Sequence, residues 1–149
     1  MVGHTDASTT KWHTVLPGAL DSVVEGCALA RRFSKASGLD DGASRALELV
    51  VEELVTNAVT HGGCAAMDLH LDCGVAGVNL LFADNGCAFN PLTDRPADPR
   101  ELDFTEQPVG GLGWPLIAHY WSIEGCEREE KWNRLHLRLR PQTIANAKP

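Results

Sequence analysis

Apolar residues in the first half of the chain recur at the three- or four-residue spacing of an amphipathic helix. One such stretch runs from Leu20 to Ser37. A second starts behind Asp40 or Asp41, either of which can cap a helix, and reaches about Thr60 before the break at His61-Gly62-Gly63. The pattern therefore predicts two consecutive helices.

Alternation of apolar and polar residues marks the predicted strands. Between Met67 and Cys73 every second residue is apolar, as in a strand with one buried face. Val78 to Ala83 is a second apolar strand, paired with the first through the turn at residues 74–77. The other predicted strands are Trp12 to Leu16, Trp121 to Glu127 and Trp132 to Leu139.

A long segment from about Asn90 to Val109 follows neither period. It contains four prolines and a mixture of acidic and basic residues, so we expect irregular backbone. A loop of this length in a compact domain is usually functional or disordered. Gly110-Gly111-Leu112-Gly113 then opens a short helix that runs through Tyr120.

The predicted order of elements is β-α-α-β-β-loop-α-β-β. Helices gather in the first half and strands pair as hairpins, which fits an α+β fold. We expect a two-layer α/β sandwich, with a mixed or mainly antiparallel sheet and the helices on one face. Residues 1–9 are expected to be a disordered lead and residues 141–149 a frayed tail, which leaves one domain over residues 10–140.

The overall composition is that of a globular protein. The 149 residues suit one domain, and contents of 44% hydrophobic and 22% charged residues are ordinary for a soluble chain. A net charge of −7 argues against a nucleic-acid partner or an anionic membrane, because both need clustered Lys and Arg. No apolar run is long enough to span a bilayer, and no secretory signal is present, so we expect a cytoplasmic protein.

The five cysteines are scattered, odd in number and form no C-x-x-C pair. This arrangement argues against a disulfide framework and against a zinc site. We interpret them as mostly small buried residues in a reducing compartment. Cys64 and Cys87 lie beside candidate site residues, so a reactive role is the alternative.

Three polar residues lie four positions apart at the end of the second predicted helix: Glu53, Asn57 and His61. Residues at this spacing share one helix face, here beside the apolar line that includes Leu54 and Ala58. The ordinary interpretation is a solvated helix edge. The alternative is a metal–phosphate site, in which Asn57 provides an oxygen ligand to Mg²⁺ and Glu53 accepts a proton from an attacking hydroxyl or water.

A second motif, Asp84-Asn85-Gly86-Cys87-Ala88-Phe89, follows a predicted strand. Asp-Asn-Gly favours an ordinary turn. Alternatively, the carboxylate of Asp84 binds the exocyclic amine of an adenine, and Gly86 allows the backbone to approach the base closely.

The third motif is the glycine-rich stretch from Gly110 to Gly113, directly before a predicted helix. It is either a hinge or a phosphate cradle, in which small residues expose successive N–H groups at a helix N-terminus. It is not a Walker A loop, because no Gly-Lys-Ser/Thr follows, and no strand leads directly into it as a Rossmann motif requires.

In their order and spacing, the three motifs resemble those of the GHKL (Bergerat-fold) ATPase superfamily. The stretches ELVTNAVTHGG, FADNGCAFNP and VGGLGWPLIAHY are most similar to the anti-sigma-factor serine-protein kinases (RsbW-like). The resemblance extends from about Trp12 to Leu139. It implies a histidine-kinase-like ATPase domain that uses ATP and Mg²⁺.

The resemblance also implies roles for individual residues. Glu53 matches the general base, Asn57 matches the Mg²⁺ ligand, and His61 lies where the helix ends near the nucleotide. The stretch from about Asn90 to Val109 corresponds to the ATP lid. The adenine-binding positions are Asp84, Gly86 and Phe89, and the phosphate-binding glycine box comprises Gly110, Gly111, Leu112 and Gly113.

Members of this kinase family transfer the γ-phosphate of ATP to a serine of a STAS-domain anti-sigma-factor antagonist. They also bind a sigma factor or another regulator, and they are commonly homodimers. The resemblance implies the same partners here. An added phosphate carries about −1.5 to −2 charges, which would disfavour binding to an acidic kinase.

Two positions depart from the family pattern. Some family kinases have an arginine just before the glycine box, whereas this chain has Val109, and its nearest arginines are Arg95 and Arg100 in the lid. Many members have a threonine near the adenine, and Asn133 is the candidate polar substitute here. A non-catalytic ATP-binding module that sequesters or activates a partner is therefore the alternative. A stand-alone histidine-kinase catalytic domain is a third, less favoured because no helix with a phospho-acceptor histidine is recognisable.

Overall fold

The computed structural model of the protein describes residues 2–5, 9–90 and 113–141. Three helices and six strands occur in these residues. In chain order they are β1 (Val2–Thr5), β2 (Thr10–Pro17), α1 (Asp21–Ala36), α2 (Asp41–Thr60), β3 (Ala66–Gly74), β4 (Gly77–Asp84), α3 (Gly113–Tyr120), β5 (Trp121–Glu129) and β6 (Trp132–Leu139).

The predicted helices and strands are all present, with ends that differ from the predicted ones by a few residues at most. The start of α2 shows why this helix boundary could be predicted from the sequence. The Asp40 side chain accepts a hydrogen bond of 2.8 Å from the N–H of Ala43, which satisfies one of the unpaired donors at the helix start.

All neighbouring strands are antiparallel, and the sheet order is β1-β2-β3-β4-β6-β5. Because β6 lies between β4 and β5, the last of the described strands lies next to the strand that carries Asp84. The predicted α+β sandwich is confirmed, and its sheet is antiparallel throughout the described residues.

The N-terminal segment differs from the prediction. Residues 2–5, expected to lie in a disordered lead, form the edge strand β1 and pair with β2 from Val2 opposite His13 to Thr5 opposite Thr10. An edge strand requires only backbone hydrogen bonds to one neighbour, which a short polar sequence can make without an apolar alternation. The predicted lid, most of the glycine box and the predicted tail from residue 142 lie outside the described residues.

The helices cover one face of the sheet. Every second residue of the central strands is buried beneath them, whereas the residues between, such as Asp68 and His70, are only half-buried. Trp121 is fully buried, and its indole N–H donates to the carbonyl oxygen of Ala46 in α2 at 3.1 Å. None of the helices in the described part of the chain is long and apolar enough to cross a membrane. The largest buried side chains are Trp121, Phe33, Leu16, Leu47, Met67, Leu69, Leu71, Leu80, Ile117 and Leu137.

Candidate functional site

The C-terminal half of α2 carries the first predicted motif along the edge of the core. Glu53 and Asn57 are half-buried and lie one helical turn apart. Each is followed in the chain by a buried core residue, Leu54 and Ala58. His61, at the end of the helix, is exposed. The first two side chains therefore occupy a boundary between core and solvent, while the third is in water.

The pKa of the Glu53 carboxyl is raised, mainly because burial removes water from the charged form and secondarily because Glu52 is a neighbouring negative charge. Neither carboxylate oxygen of Glu53 has a hydrogen-bond partner among the described residues. A carboxylate in this setting is a stronger base than one in water, which suits the predicted proton acceptor.

The Asn57 side chain also makes no hydrogen bond within the described part of the chain. Its backbone carbonyl, by contrast, accepts from the N–H groups of His61 and Gly62, both at 2.9 Å. These two bonds end the helix, and His61 is its C-cap. The structure thus shows His61 terminating the helix, while a contact to phosphate stays a prediction.

The second motif, Asp84 to Phe89, is a loop in which many polar groups are hydrogen-bonded to other groups of the protein. Oδ1 of Asp84 accepts from the N–H of Gly86 at 2.9 Å and from Nδ2 of Asn133 at 3.1 Å. Oδ1 of Asn85 accepts from the N–H groups of Ala65 and Ala66, at 2.8 and 2.9 Å. Within the described residues, Oδ2 of Asp84 has no partner and can accept a hydrogen bond from a ligand.

Gly86 joins this loop to the end of α2. The N–H of Cys87 donates to the carbonyl oxygen of Gly62 at 2.9 Å. A Cβ on Gly86 would lie 2.6 Å from that same oxygen and 2.9 Å from its carbon, closer than real side chains approach backbone. Glycine is therefore required here by close packing of backbone on backbone. This contact brings the first and second predicted motifs together.

Asn133 holds the loop from the neighbouring strand. It is buried, and its Nδ2 donates to Asp84 and to the carbonyl of Cys87 at 2.7 Å. Its Oδ1 accepts from the N–H of Phe89 at 3.0 Å and from Nη1 of Arg128 at 3.1 Å. All four hydrogen-bonding positions of the amide are used. The predicted polar substitute thus contacts Asp84, the aspartate predicted to bind adenine, directly.

Arg128 is a site residue that the sequence analysis missed. Its Nη1 also donates to the carbonyl of Gly86 at 2.8 Å. In the sheet, Asp84 lies opposite Asn133, and Asn133 lies opposite Arg128, so one cross-strand row spans three strands. The only signal in the sequence is the alternation of the final hairpin, which does not reveal that β6 pairs with β4.

The third motif is described only at its end. Gly113 begins α3, and the buried ring of Trp114 lies with its centroid 6.0 Å from that of Phe89. The glycine box therefore leads into a helix that packs beside the Asp84 loop. Gly110, Gly111 and Leu112 lie outside the described residues.

Two cysteines accompany the site. Cys64 is buried, and the pKa of its thiol is raised by burial and then by the negative charge of Asp84, which keeps it neutral. Cys87 is exposed on the loop. All five cysteines are free thiols. The prediction that they are mostly buried is wrong, since Cys27 and Cys64 are buried, Cys73 and Cys126 are half-buried, and Cys87 is exposed.

A comparison with models of known protein families gives a match that covers most of the chain. Residues 16–139 match the model of the histidine kinase-like ATPase domain. The chain belongs to this family. Membership of the GHKL ATPases, predicted from the three motifs, is thereby confirmed, and a domain of this family binds ATP.

Two curated relatives are kinases. The serine/threonine-protein kinase BtrW of Bordetella bronchiseptica is 33% identical over 95 residues, which cover 61% of this chain and 66% of the relative. The sensor-type histidine kinase PrrB of Mycobacterium leprae is 32% identical over 92 residues, which cover 56% of this chain and 19% of that relative. The chain thus spans just under two thirds of the first and about a fifth of the second.

Proposed function

We propose that this ATPase domain is a protein serine kinase of the partner-switching type, which phosphorylates a serine of a STAS-domain anti-sigma-factor antagonist. The observation that carries the proposal is the Glu53 carboxyl, half-buried, unpaired within the described residues and one helical turn before Asn57. The similarity to a serine/threonine-protein kinase supports a protein hydroxyl as the acceptor.

In the proposed reaction, the serine oxygen attacks the γ-phosphorus of ATP and forms a new phosphorus–oxygen bond. The bond from that phosphorus to the oxygen bridging it to the β-phosphate breaks, and ADP leaves. Glu53 takes the proton of the serine hydroxyl. Phosphoryl transfer depends mostly on positioning and charge neutralisation, so one general base on a rigid helix is a sufficient protein contribution.

The other site residues fit the proposed ligands. Oδ2 of Asp84 is available to the exocyclic amine of adenine, while Oδ1 is fixed by protein donors. The side-chain oxygen of Asn57 is of the kind that Mg²⁺ prefers, and it has no partner within the described residues. When bound, Mg²⁺ would neutralise charge on the phosphates.

The partner exchange rests on charge. The domain carries a net charge of −7, so a phosphorylated antagonist, which gains about −1.5 to −2 charges, is expected to dissociate. The released domain would then bind a sigma factor or another regulator. A homodimer that binds neither nucleic acid nor membrane is part of the same proposal.

The test is a phosphotransfer assay with the full chain, Mg-ATP and purified STAS-domain proteins of the same genome. We expect one of them to be labelled on a serine, and its Ser→Ala variant to remain unlabelled. Glu53→Gln should reduce the rate by at least about 100-fold, the usual contribution of a general base, without loss of ATP binding. Glu25→Gln, at an exposed position on α1, is the control and should keep the rate, because Glu25 is not among the groups that shift the pKa of Glu53.

A non-catalytic nucleotide-gated binding module is the second candidate, favoured by Val109 in place of the arginine that some family kinases have. Tight ATP binding with no transfer to any STAS-domain protein would support it and contradict the kinase. Acid-labile label on a histidine would instead indicate a histidine-kinase catalytic domain. A chain that binds no adenine nucleotide would contradict both candidates.

A further inference from the structure

Two histidines and an aspartate form a cluster on the outer face of the sheet, away from the helices. His13 in β2 lies directly opposite His70 in β3, and Asp68 is two residues before His70, so the three side chains share one face. The imidazole rings are stacked, with centroids 4.0 Å apart and planes within 5° of parallel. Strand pairing therefore places all three residues next to one another on one face of the sheet.

The donor atoms of this cluster converge. Nε2 of His13 is hydrogen-bonded to Oδ1 of Asp68, and Nε2 of His70 lies 3.4 Å from the same oxygen. One ligand atom from each of the three residues falls within 4.8 Å of the others. Ligands around tetrahedral zinc, bound at about 2.0–2.2 Å, are about 3.3 Å from one another. The His70–Asp68 separation already has this value. The two imidazole rings are stacked in parallel planes, so binding one ion requires them to rotate out of the stack until both Nε2 lone pairs point at it.

The donor chemistry is that of a transition-metal site. Imidazole nitrogen suits Zn²⁺, Cu²⁺ and Ni²⁺, and one carboxylate with two imidazoles leaves a fourth position for water. The cysteine pattern argued against a zinc site, but that argument concerns thiolate ligands, and this cluster contains none.

We propose that His13, Asp68 and His70 bind one divalent transition-metal ion of the zinc class on the outer face of the sheet. The side chains are 39%, 29% and 44% exposed, so an ion can reach them without unfolding of the sheet. Two imidazole nitrogens compete for one carboxylate oxygen, and a metal would satisfy all three groups at once.

This site is physically separate from the nucleotide site. Leu69 and Leu71, which flank His70 in β3, point to the buried face that the helices cover, and His70 points to the opposite face. Failure of the metal proposal would therefore leave the kinase proposal untouched, and the reverse also holds.

The test is calorimetric titration of the metal-free full chain with Zn²⁺ at neutral pH. We expect saturation at one ion per chain, and a visible absorption spectrum of tetrahedral type when Co²⁺ replaces Zn²⁺. His13→Asn and His70→Asn should each weaken Zn²⁺ binding by at least about tenfold. The double variant should lose saturable binding and the Co²⁺ spectrum.

The matched control is His136→Asn. His136 lies on the same face and in the same cross-strand row as His13 and His70, but Leu81 separates it from His70. This variant should bind Zn²⁺ as the wild type does. Because the substituted histidines are half-exposed, melting temperatures without metal should be unchanged, and this checks that every variant folds.

Undiminished Zn²⁺ binding by the double His13/His70 variant would overturn the proposal. Loss of binding in Cys87→Ser, with the three cluster residues intact, would overturn it as well, since it would assign the ion to the exposed thiol. Absence of saturable Zn²⁺ binding in the wild type would overturn the proposal too.

Discussion

The loop from Asp84 to Phe89 and the C-terminal half of α2 meet at Gly62, but their polar groups are used in different ways. In the loop, backbone and side-chain groups are bonded by Asn133 and Arg128 before any ligand arrives. On the helix, the side chains of Glu53 and Asn57 have no protein partner in the described residues. The loop predicted to bind the base is therefore preorganised, whereas the helix predicted to face the phosphates offers unpaired side chains.

This difference has an energetic consequence. Removing a partner from a satisfied network leaves buried groups unbonded and destabilises the fold. Removing a side chain that has no hydrogen-bond partner in the protein changes stability little and acts mainly on ligand binding or chemistry. Substitutions on the two sides should therefore separate stability from activity, and the following predictions run from the largest expected effect on stability to the smallest.

Gly86→Ala should have the largest effect. Its Cβ would be 2.6 Å from the backbone carbonyl oxygen of Gly62, which cannot turn aside as a flexible side chain can, so the loop must move away from α2. We expect a loss of about 3 kcal/mol in the free energy of unfolding, measured by urea denaturation, and loss of ATP binding. Gly42→Ala is the control, because its Cβ would meet nothing closer than 3.5 Å and alanine favours a helix. Equal stability of the two variants would contradict the close contact.

Asn133→Ala should be next. The substitution removes four hydrogen bonds and leaves the carbonyl of Cys87 and the N–H of Phe89 unpaired. We expect a loss of about 2 kcal/mol in stability and a rise of at least about tenfold in the dissociation constant for ATP, measured by calorimetry. Asn79→Ala, an amide on the outer face of the adjacent strand, should leave ATP affinity unchanged. A stable Asn133→Ala variant with normal affinity would show that the loop holds its own shape.

Local patterns in the sequence predicted most of the secondary structure. They did not predict which residues hold the Asp84–Phe89 loop in place. The periods of α2 and β3 are properties of neighbouring residues, so the sequence predicted them closely. Asn133 reaches Asp84, and Arg128 reaches Gly86, because the hairpin of β5 and β6 pairs with β4, a strand far from it along the chain. No local pattern of apolar residues indicates that these strands are neighbours. The polar strand β1 was not predicted because it also lacks such a pattern.

Asn57→Ala should affect stability little. Its side chain makes no hydrogen bond within the described residues, so the free energy of unfolding should change by no more than about 0.5 kcal/mol. Phosphotransfer should nevertheless fall sharply, and the dependence of ATP affinity on Mg²⁺ should disappear. Calorimetric ATP titrations with and without Mg²⁺ check this, with Thr56→Ala on the same helix as the control. A strongly destabilised variant would mean that the amide has a structural role.

Glu53→Gln should act in the opposite direction. The raised pKa of Glu53 means that the folded state holds the proton more tightly, so its contribution to stability is present at low pH and lost as the pH rises from about 4 through the raised value. Above that value the charged carboxylate is penalised, and the variant should be slightly more stable than the wild type. Urea denaturation at acidic and neutral pH measures this, with exposed Glu25→Gln as the control. No gain at neutral pH would argue against burial of the charge.

Cys87 allows a chemical probe to be attached where the Asp84–Phe89 loop contacts the end of α2. It is the exposed one of the five cysteines, yet its backbone N–H is bonded to Gly62 at the contact between the loop and α2. A thiol-reactive fluorophore should therefore label this position selectively, because reactivity with such reagents requires access to the sulfur. Its emission would report in real time how the loop and the helix respond when a nucleotide arrives.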